Sequence, residues 1–293
     1  GFICMFGLLN INKPAGWTSR DVVNRVQRIV RPVKTGHAGT LDPLATGVLI
    51  VPVGRATRLT EYIHTVSKTY VAKFELGKTS DTEDSEGDVK LHEVDHIPEN
   101  RVVERVVAGF LGKQQQRPPV YSALRVNGKR AYQLARQGEQ VELAPREIDI
   151  FQITVRHYEY PELIVEVECS SGTYIRSLGR DIGELLNTGA VMTALERTAI
   201  GSWTVAEAVA PDFDTPQDVN DSLLNPVPLL GNYEQLVLNE QQQGELMHGR
   251  RISLQGSDAE EVLGISQDGE LLTVLNRVEQ SDFFKPVKNF FPS

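Results

Sequence analysis

Gly36-His37-Ala38-Gly39-Thr40-Leu41-Asp42-Pro43-Leu44-Ala45-Thr46-Gly47 runs directly into Val48-Leu49-Ile50-Val51-Pro52-Val53, and the reading of this stretch decides the fold. The second segment is continuously apolar, which suits a strand covered on both faces rather than one with a wet side. A loop holding three glycines and one Asp-Pro in twelve positions therefore abuts the core. Glycine permits positive φ and close approach of a ligand or another backbone, so the loop can hold Asp42 in a fixed, unusual geometry over a rigid strand. Two readings of Asp42 stand side by side here: a catalytic carboxylate, or the N-cap of a helix whose first residue is Pro43. The loop lacks the GxxxxGKS or GxxxxGKT spacing of a nucleotide P-loop, which leaves a simple ATPase without its phosphate cradle.

Upstream, Gly7 to Asn12 reads as a strand and Lys13-Pro14-Ala15-Gly16 as a turn. Thr18 or Ser19 then caps a helix whose Val22, Val23, Val26, Ile29 and Val30 share one face, leaving Arg25, Arg28 and Arg31 wet. Downstream, Lys68 to Leu76 alternates as a strand, Gly77 to Asp88 is a polar acidic loop, and an amphipathic helix begins near Pro98, burying Val102, Val103, Val106, Val107, Phe110 and Leu111. Gln114 to Pro119 is polar and Pro-rich, and the basic stretch up to Arg146, broken at Gly128 and Gly138, looks like an excursion. Ile148 to Val155 and Leu163 to Cys169 are strands flanking a turn at Pro161. Thr173 to Leu186 is a helix burying Ile175, Leu178, Ile182 and Leu185, which puts Arg176 beside the apolar stripe but outside it. Pro211 to Pro228 is a connector, and a β-type tail runs from Tyr233 onward.

The 293 residues are 40% hydrophobic and 24% charged, with no low-complexity tract, which excludes disordered and fibrous classes. Cys4 and Cys169 are too far apart for a CxxC motif, as suits a reducing compartment, and no secretory signal or membrane span is legible; the expectation is a cytoplasmic protein with no membrane partner. The six histidines show no HExxH pattern, and His92 and His96 sit in an acidic loop-like stretch, so no metal site is expected. The net charge of −9 argues at first against a nucleic-acid partner, but the average conceals segregation. From residue 13 to 78 there are eleven Lys/Arg against four Asp/Glu, and from 113 to 146 seven against two. Two basic segments on an acidic remainder can attract a polyanion while keeping the protein dispersed.

Asn12-Lys13-Pro14-Ala15-Gly16-Trp17-Thr18-Ser19 and the Gly36 to Gly47 loop together closely resemble the bacterial TruB family of tRNA pseudouridine-55 synthases. The resemblance continues in order through Lys68-Thr69-Tyr70, the acidic Thr79 to Gly87 loop, Pro118 to Leu124, and Ser171-Gly172-Thr173-Tyr174-Ile175-Arg176-Ser177-Leu178, covering roughly residues 7 to 200. It implies an α+β pseudouridine-synthase catalytic domain over residues 1–231 with a mixed, mostly antiparallel sheet. It also implies a basic helical insertion, 113–146, that grips the tRNA loop, and a small β-type PUA-like RNA-binding domain over 232–293 that reads the acceptor stem. The activity implied is isomerisation of uridine-55 in the T-loop of tRNA by base flipping, with no cofactor and no metal. Asp42 corresponds to the family's catalytic aspartate; attack on C1′, attack on C6 and proton abstraction from C2′ all remain open. Arg176 corresponds to its arginine partner, Tyr70 to the aromatic that stacks on the extruded uracil, His37 to the contact with the refolded T-loop, and Tyr174 and Leu195 to the pocket wall. Lys13 corresponds to the lysine of the Asn-Lys-Pro motif, ordering the turn or touching RNA.

One departure stands out: where the family commonly places two arginines after the leucine, this chain has Glu196 and then Arg197. The length of the excursion favours a stand-alone enzyme over guide-RNA-dependent relatives, and the expected partner is the T-arm and acceptor stem of tRNA, met by a monomer without guide RNA. Two rivals are weighed against this: an RNA-binding tRNA-folding chaperone with dispensable chemistry, and a carboxylate-pair glycosidase drawing on Asp81, Glu83, Asp84 and Glu86.

Overall fold

The computed structural model describes residues 4–292. Strand β1 (Phe6–Lys13) leads through the turn at Pro14 into α1 (Ser19–Val30). A reciprocal pair fixes the start of that helix: Asp21 N donates to Thr18 Oγ1 at 3.0 Å, and Thr18 N donates to Asp21 Oδ2 at 2.8 Å. The apolar run becomes β2 (Thr46–Gly54), buried from Gly47 to Val53 and antiparallel to β1 from Gly47 to Gly54. The short helix α2 (Thr60–His64) precedes β3 (Lys68–Leu76).

The acidic loop holds one pairing that its polarity hides. Lys78–Ser80 forms β4 against β5 (Val89–Leu91), and α3 (Asn100–Ala108) follows. The expected insertion over 113–146 is corrected at both ends. Gly112–Gln116 is β6, an edge strand of the main sheet, and Arg146 already opens β9 (Arg146–Glu159), with Gly112 opposite Ile150 and Gln116 opposite Arg146. Polar residues fit an edge strand with one wet face, which is why Lys113-Gln114-Gln115 did not read as sheet. Between them lie the hairpin β7 (Arg125–Val126) and β8 (Lys129–Arg130) and one helix of six residues, α4 (Ala131–Arg136), so the excursion is mostly irregular rather than helical.

The cis-Pro161 turn joins β9 to β10 (Glu162–Cys169), and α5 (Ile175–Leu185) packs across the sheet. Within α5 the expected face shifts: Leu185 is exposed while Leu186, just past the helix, turns inward, and Arg176 and Ser177 are buried. Strand β11 (Ala190–Ile200) then enters the middle of the sheet, paired antiparallel with β3 and parallel with β2. With β12 (Trp203–Thr204) on β11, the order is β1-β2-β11-β3-β10-β9-β6. The sheet is therefore mixed and mostly antiparallel. Its parallel strand pairing, β2 with β11, is a seam of two residue pairs, Glu196 with Thr46 and Arg197 with Gly47. A Cβ on Gly47, at φ +100, would stand 2.2 Å from the Arg197 carbonyl oxygen, so only glycine closes this seam.

One face of the sheet buries α1, α3 and α5 through Val22, Val26, Leu49, Phe74, Val103, Ile175 and Ile182. The connector forms α6 (Pro216–Asp221). The tail folds as β13 (Glu234–Val237), α7 (Glu240–Met247), β14 (Ile252–Ser253), β15 (Glu261–Ile265), β16 (Leu271–Arg277) and β17 (Phe283–Asn289), in the sheet order β13-β15-β16-β17-β14. Val48, Ile50, Leu59 and Ile63 share one apolar cluster with Leu263, Ile265, Val274 and Phe290, so the two sheets are joined by core rather than by a tether. No helix among the described residues is long and apolar enough to cross a membrane.

Candidate active site

Several segments converge on an open cleft of about 880 Å³ whose lining includes Asp42, Tyr70, Tyr174, Arg176, Leu195 and Arg197. Asp42 opens a reverse turn in which Ala45 N donates to the Asp42 carbonyl at 2.9 Å, and no helix follows Pro43. The N-cap reading of Asp42 therefore falls. The turn is fastened from behind. Ser19 Oγ accepts from Leu41 N at 2.9 Å, Gly16 N donates to the Pro43 carbonyl at 2.8 Å, and Lys13 Nζ donates to the carbonyls of Pro14, Trp17 and Pro43. Lys13 is fully buried, and burial pushes its ammonium down to about 8 against the attraction of Asp42. With all three protons taken by carbonyls, Lys13 orders the turn.

Arg176 comes from the first turn of α5. Its Nε lies 3.2 Å from Asp42 Oδ2, its Nη1 donates to the Thr82 carbonyl at 3.0 Å and stands 3.9 Å from Asp84 Oδ2, and its Nη2 donates to the Tyr121 carbonyl at 3.2 Å. One planar fork thus joins the Asp42 turn, the acidic loop and the excursion. The Arg176 side chain is 9% exposed against 42% for Asp42, so the carboxylate faces the cleft from a dry support. The acidic loop is committed internally: Asp84 Oδ1 accepts from Thr82 Oγ1 at 2.6 Å and Glu86 N at 3.1 Å, while Glu83, at φ 66, pairs with Arg180 and accepts from Ser177 Oγ at 2.6 Å. Tyr174 is half-buried, its N–H donating to Gln116 Oε1 at 2.9 Å while Gln116 Nε2 returns a bond to its carbonyl at 3.0 Å; burial raises its phenol.

The opposite wall is built by β3 and β11. Tyr70 faces Arg197 across the ladder, and the Arg197 guanidinium carbon stands 6.0 Å from the centre of its ring. Burial raises the Tyr70 phenol, which keeps it a neutral donor, although the nearby Arg197 opposes the shift. Arg197 is 1% exposed; its Nε donates to the Val48 carbonyl at 2.8 Å, its Nη2 to the Gly39 carbonyl at 2.8 Å, and its Nη1 reaches the Tyr70 hydroxyl at 3.5 Å. Leu195, two residues back on the same strand, is buried as part of the wall. His37 is half-buried and is not among the lining residues; burial, and then Arg20, His64 and Arg197, lower its pKa. His64 and Lys68 do line the cleft, and neither they nor Arg197 is among the site residues expected from sequence. Lys68 and Arg197 could have been found: one lies two positions before Tyr70 in the same strand and the other beside the Glu196 departure.

Comparison with known proteins places the chain in a family. Residues 27–175 match the family model described as TruB family pseudouridylate synthase, N-terminal domain. The tRNA pseudouridine synthase B of Arthrobacter sp. (strain FB24) is 40% identical over 304 residues, spanning 98% of this chain and 97% of the relative. That of Clostridium acetobutylicum is 41% identical over 250 residues, 85% and 86% of the two chains, and that of Dehalococcoides mccartyi (strain CBDB1) is 39% identical over 292 residues, 98% and 97%. Among solved structures, an H/ACA RNP bound to a substrate RNA containing 2′-deoxyuridine has the same fold, with TM-score 0.73 at 23% identity over 99% of this chain and 86% of the other. The archaeal box H/ACA sRNP Nop10–Cbf5 complex matches with TM-score 0.73 at 22% identity, over 99% and 87%.

Proposed function

The chain belongs to the TruB family of pseudouridylate synthases, and from that premise we propose that it isomerises a uridine of tRNA, uridine-55 of the T-loop, with Asp42 as the reacting carboxylate. The observation that carries the reading is Asp42 at the cleft surface, 3.2 Å from a buried Arg176 and facing a wall that presents Tyr70. The reaction is redox-neutral and retains every atom: the N1–C1′ bond breaks, a C5–C1′ bond forms, the C5 proton leaves and N1 gains one. A side chain that bonds transiently to the nucleotide or takes a proton from it suffices, and a carboxylate can do either. Attack on C1′, attack on C6 and abstraction from C2′ all need the ionised form. Arg176 Nε, 3.2 Å from Asp42 Oδ2, fixes the direction in which the carboxylate faces the cleft.

The target base must leave its stack to reach Asp42, and the Tyr70 ring is suited to receive it, returning part of the few kcal/mol that unstacking costs. Tyr174 and Leu195 bound the pocket, and His37 contacts the loop around it. Recognition rests on the shape of the folded T-arm, gripped by the basic excursion through Arg125, Lys129, Arg130 and Arg136. The tail over residues 232–293 acts as a PUA-like domain on the acceptor stem, where Arg250 and Arg251 are exposed. The enzyme works as a monomer without guide RNA. The chaperone reading is not favoured, since the carboxylate, its partner and the aromatic are assembled as a reaction site.

The purified protein in EDTA is expected to convert a T-arm stem-loop to its pseudouridine product, read by mass spectrometry after selective labelling. Asp42→Asn should lower the rate by about 10³-fold or more while RNA affinity stays within a few-fold. Isomerisation surviving in Asp42→Asn would remove Asp42 from the chemistry.

A further inference from the structure

Lys68 is a buried lysine without an acid. It is 6% exposed, and its ammonium donates to the His64 carbonyl at 2.7 Å and to Ser171 Oγ at 2.8 Å. An ammonium carries three protons, so one remains without a protein acceptor inside the cleft. Burial pushes the ammonium down to about 8 and Arg197 lowers it further, and no carboxylate acts against them. Glu168 is on the neighbouring strand, but it sits opposite Thr69 in the ladder, on the other face of the sheet, where it accepts from Ser67 Oγ. A dry cation with no counter-charge is costly unless an anion arrives to complete it.

Three neighbours supply further donors on the cleft side. The Ser171 hydroxyl, having accepted from Lys68, keeps its own proton free to donate. The backbone N–H groups of Ser171, Gly172 and Thr173 donate to no described acceptor, in a turn where Gly172 has φ +80. Successive unpaired N–H groups in such a turn form a concavity suited to an anion. Lys68 and Tyr70 point to the same face of β3, about 7 Å apart along the strand. That spacing is comparable with the distance from a nucleobase to its own or the adjoining phosphate.

We propose that Lys68, the Ser171 hydroxyl and the free N–H groups of the Ser171 to Thr173 turn form an anion seat within the cleft, and that it takes one backbone phosphate of the RNA beside the nucleotide extruded onto Tyr70. The seat deepens the reading above and rests on it: it concerns how an RNA strand is held once the base has left its stack. Its charge comes from the protein interior rather than from the flexible surface lysines and arginines of the excursion, so it positions a phosphate instead of merely attracting one.

The test is a scan in which each phosphate flanking the target uridine of a T-arm stem-loop is replaced in turn by a neutral methylphosphonate, with product formation read for wild type, Lys68→Met and Ser171→Ala. Unmodified RNA that gives no product with wild type would overturn the functional reading itself, and the seat with it. With product formed, one methylphosphonate should lower kcat/KM about tenfold or more in wild type, yet less than twofold in Lys68→Met, because the charge pair is already gone. The same position should show a smaller loss of coupling in Ser171→Ala, an exposed site whose substitution leaves the fold intact. The slope of log affinity against log salt should also become shallower by about 0.7 to 0.9 in Lys68→Met. If wild type tolerates a neutral phosphate at every flanking position, or if the modified RNA and the variants act additively, Lys68 is a structural tie between His64 and Ser171 and the seat does not exist.

Discussion

Two buried arginines face each other across the cleft, 7% and 1% exposed, and their surroundings differ in kind. Arg176 lies against the carboxylates of Asp42 and Asp84. Arg197 meets the carbonyls of Val48 and Gly39, the phenol of Tyr70, and no carboxylate; Lys68 on the same wall is equally without one. On the Arg176 wall, charge is balanced inside the protein, so that side is preorganised before a ligand arrives. On the Arg197 wall the cations are solvated by dipoles only and the balance is left open. The difference teaches where specificity for a polyanion can reside in a chain whose net charge is −9: in a few uncompensated interior cations rather than in the sum over the surface.

Replacing the two arginines by methionine is the most forceful way to break this contrast. Arg176→Met should lower kcat by about 10² to 10³-fold, since it removes the charge beside Asp42 and frees the turn that carries it. Arg197→Met should cost less in kcat, about ten- to a hundredfold, and more in folding, because the Val48 and Gly39 carbonyls lose their donor at roughly 1–3 kcal/mol each. Single-turnover rates together with urea denaturation of both variants measure this. Equal changes in both quantities for both variants would erase the distinction.

A pH series sharpens the contrast with a smaller effect. Lys68 titrates near 8 in the folded protein, well below its ordinary 10.5. The unfolded chain then holds more protons than the native one between those values, so stability rises as pH climbs from about 8 to 10.5. RNA affinity should move the other way, falling through about pH 8 as the cation is lost. Lys13, lowered for the same reason, adds to the stability change but not to the affinity change. Denaturation and RNA-binding curves on wild type and Lys68→Met between pH 7 and 10 check both directions: the variant should lose part of the stability gain and most of the affinity drop.

The smallest expected effect provides the control. Arg156 and Glu166 are also a compensated pair, at 2.6 Å, but Arg156 is 55% exposed. Arg156→Met should change stability by less than about 1 kcal/mol and leave the rate unaltered. A larger change, seen by thermal denaturation, would show that pairing rather than burial sets the behaviour of Arg176.

How much of this could be read in advance depended on whether a residue's environment is local. The Asp42 loop, β2, β3, α1 and the hairpin of β9 and β10 carry their signals in turn residues and periodicity, and those elements were legible. Strand β11 was not. Ala190-Val191-Met192-Thr193-Ala194-Leu195-Glu196-Arg197 is rich in residues that favour helix, and only its neighbours on both sides impose the extended form. Arg176 lies outside the apolar stripe of α5 and reads as a surface residue, yet it is buried because the Asp42 turn and the acidic loop cover that side of the helix. Leu185 and Leu186 exchanged places because the helix ends between them. The polar edge strand β6 was absorbed into the excursion for want of an apolar face. Each miss was a matter of what another segment places nearby, while Asp42, Tyr70, Tyr174 and Leu195, carried by motif, all line one cleft.

The seam between β2 and β11 has a mechanical consequence. Gly47 is both the last residue of the loop that begins at Gly36 and one of the two rungs that hold the halves of the sheet together. The loop is therefore an arch whose root is clamped at the seam, with Arg197 bracing it a second time at Gly39. Its free span is short and supported at both ends, so the tip bearing Asp42 has little compliance. A bulkier residue at position 47 would act at the root, and the displaced seam would carry the Asp42 turn with it.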